Sequence, residues 1–203
     1  PDILVCRSSA PLNDETREKL AAFCHVAPEA VMSTHDVPNI YHVPLMLEEQ
    51  GLCEILKLDC NATDLIEQWR TMAHNLDTLS EEVHIAMVGK YTNLSDAYLS
   101  VIKSLQHAAM AVNRKLVIDW IEASHLESDW SDSQEREEAW TLLKQASGVL
   151  VPDGFGDRGV EGKILAAEYA RTSSTPYLGI CLGLQVATIE YCRNVLGFKD
   201  SNP

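Results

Sequence analysis

The fold is decided by the segment at 176–185, which reads P-Y-L-G-I-C-L-G-L-Q and leads from an apolar, strand-like run into a helical pattern. Working outward, the same alternation recurs. Strand-like runs lie at 84–88, 116–121, 148–152 and 176–180, and helical patterns lie at 96–112, 137–146, 162–171 and 182–196. Strands that alternate with helices of this length predict βαβ units and a parallel sheet covered by helices on both faces. Ligands of such sheets bind beyond the carboxyl ends of the strands.

Cys181 is the candidate nucleophile of this segment. It stands between Gly179 and Gly183, and a tight strand-to-helix turn strains its central residue and requires small neighbours. The turn would place the thiol at the positive end of the following helix, which favours the thiolate. The Leu182 N–H would then face the oxyanion formed when the thiolate attacks a carbonyl. The plain structural alternative is a buried cysteine with two packing glycines.

A glycine-rich segment, V-P-D-G-F-G-D-R-G at 151–159, follows the preceding strand. Its glycines allow backbone N–H groups to approach a ligand or an oxyanion closely. Such a loop is a weak signal alone. Paired with a cysteine turn on the next strand, it predicts covalent acyl transfer.

The N-terminal part has a different organisation. The sequence predicts strands at 2–6 and 31–32, helices at 13–23, 45–52 and 63–72, an irregular loop at 35–44 and a polar interdomain connector at about 57–82. We also expect the run of acids at 119–138 to be a solvated loop that leads into a helix.

Composition excludes several classes of protein. The 203 residues contain 16 Lys and Arg against 30 Asp and Glu, a net charge of −14 that disfavours nucleic acid and membrane surfaces as partners. No apolar run is long enough for a membrane span, and no secretory signal is visible. The six cysteines form no C-x-x-C pair, so we predict no metal site and reduced thiols in an intracellular protein. A chain that begins on proline is expected to be a fragment.

Several sequence segments resemble the class I glutamine amidotransferases and, within that class, the CTP synthase family. They are V-G-K-Y-T-N-L-S-D-A-Y at 88–98, G-V-L-V-P-D-G-F-G-D-R-G-V-E-G-K at 148–163 and the segment at 176–185. The phrases P-D-I-L-V-C-R-S at 1–8 and H-D-V-P-N-I-Y-H-V-P at 35–44 are similar to the end of that family's synthetase domain.

The resemblance implies an α/β fold with a flavodoxin-like parallel sheet, preceded by the C-terminal tail of an α/β P-loop-like synthetase domain. Residues 1–56 would belong to the synthetase, 57–82 would be the linker, and 83–203 would be a glutaminase domain that is incomplete at its C-terminus.

The resemblance also implies an activity. Glutamine would be hydrolysed through a cysteinyl thioester, and the ammonia would aminate UTP to CTP with ATP and Mg²⁺ and with GTP as allosteric activator. The main ligands of ATP and Mg²⁺ would lie outside this chain. The family implies a cytoplasmic homotetramer.

The resemblance assigns roles residue by residue. Cys181 would be catalytic. Five residues would hold the oxyanion and glutamine, namely Gly154, Leu182, Gly183, Leu184 and Gln185. Four residues would contact nucleotide, namely Lys19, His35, Asp36 and Val37.

Two departures from the family pattern bear on activity. Asp153 stands where the family loop P-G-G-F-G has its first glycine. If that position needs a positive φ, a non-glycine residue there is in left-handed strain, and a carboxylate would oppose a developing oxyanion. We therefore hypothesise that Asp153 weakens or abolishes glutaminase activity. The family's catalytic His and Glu would lie beyond Pro203, so we expect the chain alone not to turn over glutamine efficiently. Two alternatives stay open: a non-catalytic relative used in assembly or regulation, and another class I amidotransferase or related cysteine hydrolase.

Overall fold

The computed structural model describes residues 1–58, 63–90, 95–154 and 156–202, apart from the side chains of Thr63, Ser95 and Asp96. The chain folds into two compact units, Pro1–Leu79 and Ser80–Pro203. No described helix is both long enough and apolar enough to cross a bilayer.

The first unit contains a small sheet with helices. Its elements are β1 (Leu4–Arg7), α1 (Asp14–Cys24), β2 (Val31–Thr34), α2 (His42–Glu49), α3 (Leu52–Ile55) and α4 (Thr63–Thr78). The strands β1 and β2 pair in parallel. The Asn13 side chain accepts a hydrogen bond from the Thr16 N–H at 2.8 Å, which explains why α1 begins where the sequence predicts.

The second unit contains a four-stranded parallel sheet in the order β4-β3-β5-β6. Its elements are β3 (Glu82–Gly89), α5 (Leu99–Ala111), β4 (Lys115–Glu122), α6 (Ser133–Gln145), β5 (Gly148–Val151), α7 (Val160–Ser173), β6 (Tyr177–Gly179) and α8 (Leu182–Asn194). Within this unit the strand order is second, first, third, fourth, as in flavodoxin-like sheets, which confirms the predicted fold class. The order reverses between β3 and β5, where such sheets bind ligands.

Both faces of this sheet are buried. Along β3, Ala86 and Val88 belong to the larger apolar cluster with α6, α7 and α8, whereas Met87 belongs to a smaller cluster with residues of α5. Successive side chains of a strand point to opposite faces, and so a strand covered on both sides is apolar throughout.

Three local expectations need correction. The acidic run is partly helical, because Asp132 accepts hydrogen bonds from two backbone N–H groups and starts α6 four residues before the predicted 137. The helix predicted from residue 96 is a 3₁₀ turn, Ser95–Tyr98, followed by α5. Cys53 is disulfide-bonded, contrary to the expected reduced state, while Cys6, Cys24, Cys181 and Cys192 are free thiols.

Candidate active site at the carboxyl edge of the sheet

Cys181 lies between the end of β6 and the first residue of α8. Its φ of 51° and ψ of −105° fall outside the conformations that non-glycine residues usually adopt. Its side chain is exposed and its thiol is free. This is the strained strand-to-helix turn that the sequence predicts, and it presents a thiol at the carboxyl edge of the sheet.

Two glycines make this turn possible. A Cβ at Gly179 would lie 2.4 Å from the Gly183 carbonyl carbon, and a Cβ at Gly183 would lie 2.0 Å from the Val151 carbonyl oxygen. Both distances are far below van der Waals contact. The Ile180 N–H also donates to the Val151 carbonyl at 3.0 Å, so that the turn is fastened to the end of β5.

The first turn of α8 supplies a hydrogen-bond donor beside the thiol. The N–H of Gly183 donates to the Ile180 carbonyl, and those of Leu184 and Gln185 donate to the Cys181 carbonyl. As the first residue of the helix, Leu182 has no acceptor for its N–H within the helix. Its N–H is therefore available to an oxyanion formed at Cys181. The side chains of Leu184 and Gln185 are exposed.

The glycine-rich loop adjoins the cysteine turn. Gly154 is half-buried, and a Cβ there would lie 3.7 Å from Leu182 Cδ2. Gly156 and Gly159 have φ of 76° and 75°, which glycine adopts at little cost. Phe155 lies outside the described residues. The fold thus brings Gly154 and Leu182 together.

Lys163 of α7 lies directly beneath this loop. It is fully buried, a Cβ at Gly154 would lie 3.0 Å from its Nζ, and the Nζ has no hydrogen-bond partner among the described residues. Burial, and to a smaller extent the nearby charge of Lys90, lower the pKa of Lys163 to about 8 against the opposing effect of Asp153 and Glu122.

Lys163 is not among the predicted site residues. One signal was available, because the buried residues Val160, Ala167 and Ala170 share its face of the helix at spacings of three or four. This spacing places Lys163 on the buried face of α7.

A second buried lysine fixes the far side of the loop. Lys90 follows β3, and its Nζ donates to the Gly156 carbonyl at 2.7 Å. The Tyr98 hydroxyl donates to the Lys90 carbonyl at 2.6 Å. Burial lowers the pKa of Lys90, with Arg158 as a further cause. The loop therefore rests on two lysines in a chain that is acidic overall.

Asp153 is not strained. The described non-glycine residues with positive φ are His25, Lys57, Asn113, Ser174 and Cys181. The expectation of left-handed strain at Asp153 is therefore wrong. Its side chain is exposed, and its carboxylate favours the charged form of Lys163. The expected electrostatic effect of the Asp153 carboxylate on the oxyanion stays a prediction, and the buried Lys163 ammonium offsets it.

The four predicted nucleotide contacts lie in the first unit. Lys19 is on the exposed face of α1, where its Nζ is 2.5 Å from a Glu15 carboxylate oxygen. Asp36 pairs with Arg7, and the Nδ1 of His35 is buried without a hydrogen-bond partner within the described ranges. Val37 is half-buried. The segment 35–37 follows β2 directly, but among the described residues no hydrogen bond or ion pair joins it to Lys19.

No histidine hydrogen-bonds to Cys181 within the described part of the chain. The site described here therefore comprises a nucleophile, an oxyanion donor and a glycine-rich loop. A general base would have to be added to these groups for turnover.

Comparisons with known proteins identify the family to which the chain belongs. The family model described as "Glutamine amidotransferase class-I" matches residues 93–202, which contain the loop and the cysteine turn. The chain therefore belongs to the class-I glutamine amidotransferases. A second model, "CTP synthase N-terminus", matches residues 1–62.

The particular relatives are CTP synthases. The chain is 51% identical to the CTP synthase of Dictyostelium discoideum and 48% identical to CTP synthase 1 of Homo sapiens, with 100% of this chain covered in both cases. It spans 39% and 36% of those relatives' length. The resemblance inferred from the sequence is confirmed.

A solved structure supports the fold. It is titled "Trypanosoma brucei CTPS - glutaminase domain with bound acivicin", and it is 42% identical with a TM-score of 0.53. The match covers 59% of this chain and 44% of that one.

Proposed function

We propose that this chain is the part of a CTP synthase that joins its two domains and supplies the nucleophile for glutamine hydrolysis. The observation that carries this proposal is the strained, exposed Cys181, held between Gly179 and Gly183 at the start of α8. Buried structural cysteines have no need of such a turn. The alternative of a non-catalytic relative is not favoured, because the nucleophile turn is intact and the similar proteins are CTP synthases.

The proposed chemistry begins at the Cys181 Sγ. Its thiolate attacks the side-chain amide carbon of glutamine, and the resulting oxyanion accepts hydrogen bonds from the Leu182 N–H and the loop at Gly154. The amide nitrogen takes up a proton and leaves as ammonia, which gives a glutamyl thioester. Water then hydrolyses the thioester to glutamate and the free thiol. Gly183, Leu184 and Gln185 would complete the glutamine pocket.

The general base would come from a segment that this chain does not contain. The family uses a histidine oriented by a glutamate for this step. The chain spans less than two fifths of the length of its relatives.

The buried lysines give the loop its electrostatic setting. Lys163 and Lys90 place positive charge beneath the loop that faces the developing substrate oxyanion, and this charge stabilises the oxyanion more strongly in a site shielded from water. The Lys163 ammonium also offsets Asp153. We infer that Asp153 weakens glutamine hydrolysis without abolishing it.

The remaining steps would take place in the synthetase domain. There ATP phosphorylates UTP at its 4-position, and ammonia displaces the phosphate to give CTP. Lys19, His35, Asp36 and Val37 would contact nucleotide at the edge of that domain, with GTP as activator of the glutaminase. We propose a cytoplasmic homotetramer.

Mg²⁺ would be held by other parts of the enzyme. It prefers oxygen ligands in octahedral geometry, and the group of potential metal ligands found among the described residues contains two imidazoles, which do not fit it. No step at the Cys181 site needs this ion.

The test uses acivicin as an electrophilic glutamine analogue. We expect acivicin to modify Cys181 selectively in the 203-residue chain and to leave the free thiol Cys192 unmodified, as measured by peptide mass spectrometry. Glutamine should protect Cys181 from this modification. Cys181→Ser should remove the label. Equal labelling of Cys6, Cys24 and Cys192, or no protection by glutamine, would contradict the proposal. In a parent-length enzyme, Cys181→Ser should abolish glutamine-dependent CTP formation and retain the ammonia-dependent reaction.

A further inference from the structure

A group of metal-ligating side chains lies in the first unit and has no part in the proposed chemistry. His42 is the first residue of α2, and His74 and Asp77 lie near the end of α4. Residues three apart on a helix share one face, so that His74 and Asp77 point to the same side. His42 meets them from α2, and the three residues form one cluster.

The cluster has dimensions that suit one ion. The Nε2 of His42 is 2.6 Å from Asp77 Oδ2, and the rings of His42 and His74 are 5.3 Å apart in an edge-on arrangement. One donor atom from each residue lies within 4.8 Å of the other two. Ligands at about 2.0–2.1 Å from a tetrahedral zinc ion are roughly 3.3 Å apart, a separation that small side-chain rotations would produce.

A fourth residue orients the carboxylate. Asn39 Nδ2 donates to Asp77 Oδ1 at 2.6 Å and to the Ala73 carbonyl at 3.2 Å. Oδ1 is thereby occupied, and Oδ2 faces the imidazoles. Outer hydrogen bonds of this kind fix ligand orientation in metal sites. His74 is exposed, which leaves an entry path for an ion from solvent.

We propose that His42, His74 and Asp77 bind one divalent transition-metal ion of the Zn²⁺ type, with water in the fourth position. Two imidazoles and one carboxylate suit zinc and cobalt and disfavour Mg²⁺. The ion would link the start of α2 to the end of α4. Because α2 follows the segment 35–37 by only a few residues, a bound ion would restrain the chain beside the proposed nucleotide contacts.

The sequence alone did not predict this site. The predicted absence of a metal site rested on the lack of a C-x-x-C pair, whereas His42 and His74 lie on separate helices that only the fold brings together. The inference does not depend on Cys181 or on glutamine hydrolysis, and either could fail without the other.

The experiment is a titration of the whole chain with Co²⁺ after treatment with a chelator, followed by visible absorption and by competition with Zn²⁺. We expect one equivalent to give the strong d–d bands of a four-coordinate ion, to be displaced by Zn²⁺ and to persist in millimolar Mg²⁺. His74→Gln and Asp77→Asn should each weaken binding at least ~10-fold, and Asn39→Ala should weaken it by about 10–100-fold. Asp64→Asn, the same change at the other end of α4, is the matched control and should bind as wild type.

Several results would overturn the proposal. A thiolate-to-cobalt charge-transfer band in the near ultraviolet would place the ion on free cysteines. Binding that survives both His74→Gln and Asp77→Asn would place it elsewhere. Absence of the bands in a chain with a native circular dichroism spectrum would leave the cluster as a hydrogen-bonded His–Asp pair only. Because His74 is exposed and glutamine favours helices, His74→Gln tests the ligand without disturbing the fold.

Discussion

Replacing Lys163 with methionine should stabilise the second unit, although it removes a residue from beneath the proposed oxyanion loop. The side chain is fully buried, and its ammonium has no hydrogen-bond partner among the described residues. Methionine has similar length and fills the same space without a charge. The substitution therefore removes a desolvation penalty and loses no hydrogen bond.

The size of the expected stabilisation follows from the lowered pKa of Lys163. Burial and the nearby Lys90 charge together lower the Lys163 pKa from 10.5 to about 8. At 1.36 kcal/mol for each pKa unit, that difference lowers the free energy of unfolding by about 3 kcal/mol at a pH where the lysine is protonated in both the folded and the unfolded state. Between pH 8 and 10.5 the unfolded chain binds more protons than the folded one, so the stability of the wild type rises with pH in that window. The advantage of Lys163→Met should be about 3 kcal/mol at pH 7 and about 1 kcal/mol at pH 10.

Urea unfolding followed by tryptophan fluorescence measures this difference. Three of the four tryptophans, Trp120, Trp130 and Trp140, belong to the second unit and report on it. Lys199→Met, at an exposed position, is the control and should change stability by less than ~0.5 kcal/mol at either pH. If Lys163→Met were no more stable than wild type at pH 7, or if its advantage did not change with pH, the ammonium would have a partner and the reasoning would be wrong.

Three further substitutions test the site and its support. Gly183→Ala would place a Cβ 2.0 Å from a carbonyl oxygen of β5, and we expect a loss of more than ~2 kcal/mol in urea unfolding together with loss of acivicin labelling. Arg171→Met should destabilise the second unit, because the buried Glu190 carboxylate loses its bidentate partner and keeps the Asn194 amide as its hydrogen-bond donor among the described residues. The hydrogen bonds from Arg171 lower the Glu190 pKa, so this cost should shrink as the pH falls below the ordinary value of 4.5 and the unpaired carboxyl is protonated; a cost that does not change with pH would contradict the ion pair. Asp153→Gly should raise the acivicin labelling rate modestly, by less than ~10-fold, and more in the Lys163→Met background than in wild type; equal gains in the two backgrounds would show that the lysine does not offset the carboxylate.

The cysteine turn could be predicted from sequence because its constraints are local. A nucleophile between a strand and a helix lies in a strained turn that needs small residues on either side. The glycines at 179 and 183, which flank Cys181, indicate such a turn. The parallel sheet was predictable for a similar reason, since strands buried on both faces leave apolar runs without alternation. The charge pattern alone places the start of α6 too late, because acidic residues indicate solvation, whereas Asp132 caps this helix and acids suit its first turn.

The surroundings of the site could not be predicted in the same way. The burial of Lys163 depends on what covers α7, and its charge argues for exposure when the residue is considered alone. Helical spacing from Val160 places it on a buried stripe, but nothing in the sequence says that its Nζ ends beneath Gly154. The same holds for His42 and Asp77, whose contact requires two helices to pack.

The strained backbone at Cys181 is held in place by the packing of β5 against α8. A residue held at such angles costs about 1–3 kcal/mol and persists only if its neighbours hold it there. Two hydrogen bonds do so directly, from the Ile180 N–H to the Val151 carbonyl and from the Tyr177 hydroxyl to the Gly183 carbonyl at 2.7 Å. At about 0.5–1.5 kcal/mol each they roughly match the strain, and the burial of Leu182 adds to them. Because the Val151 carbonyl accepts the first bond and also lies where a Gly183 side chain would be, the position of the thiol is set by the end of β5.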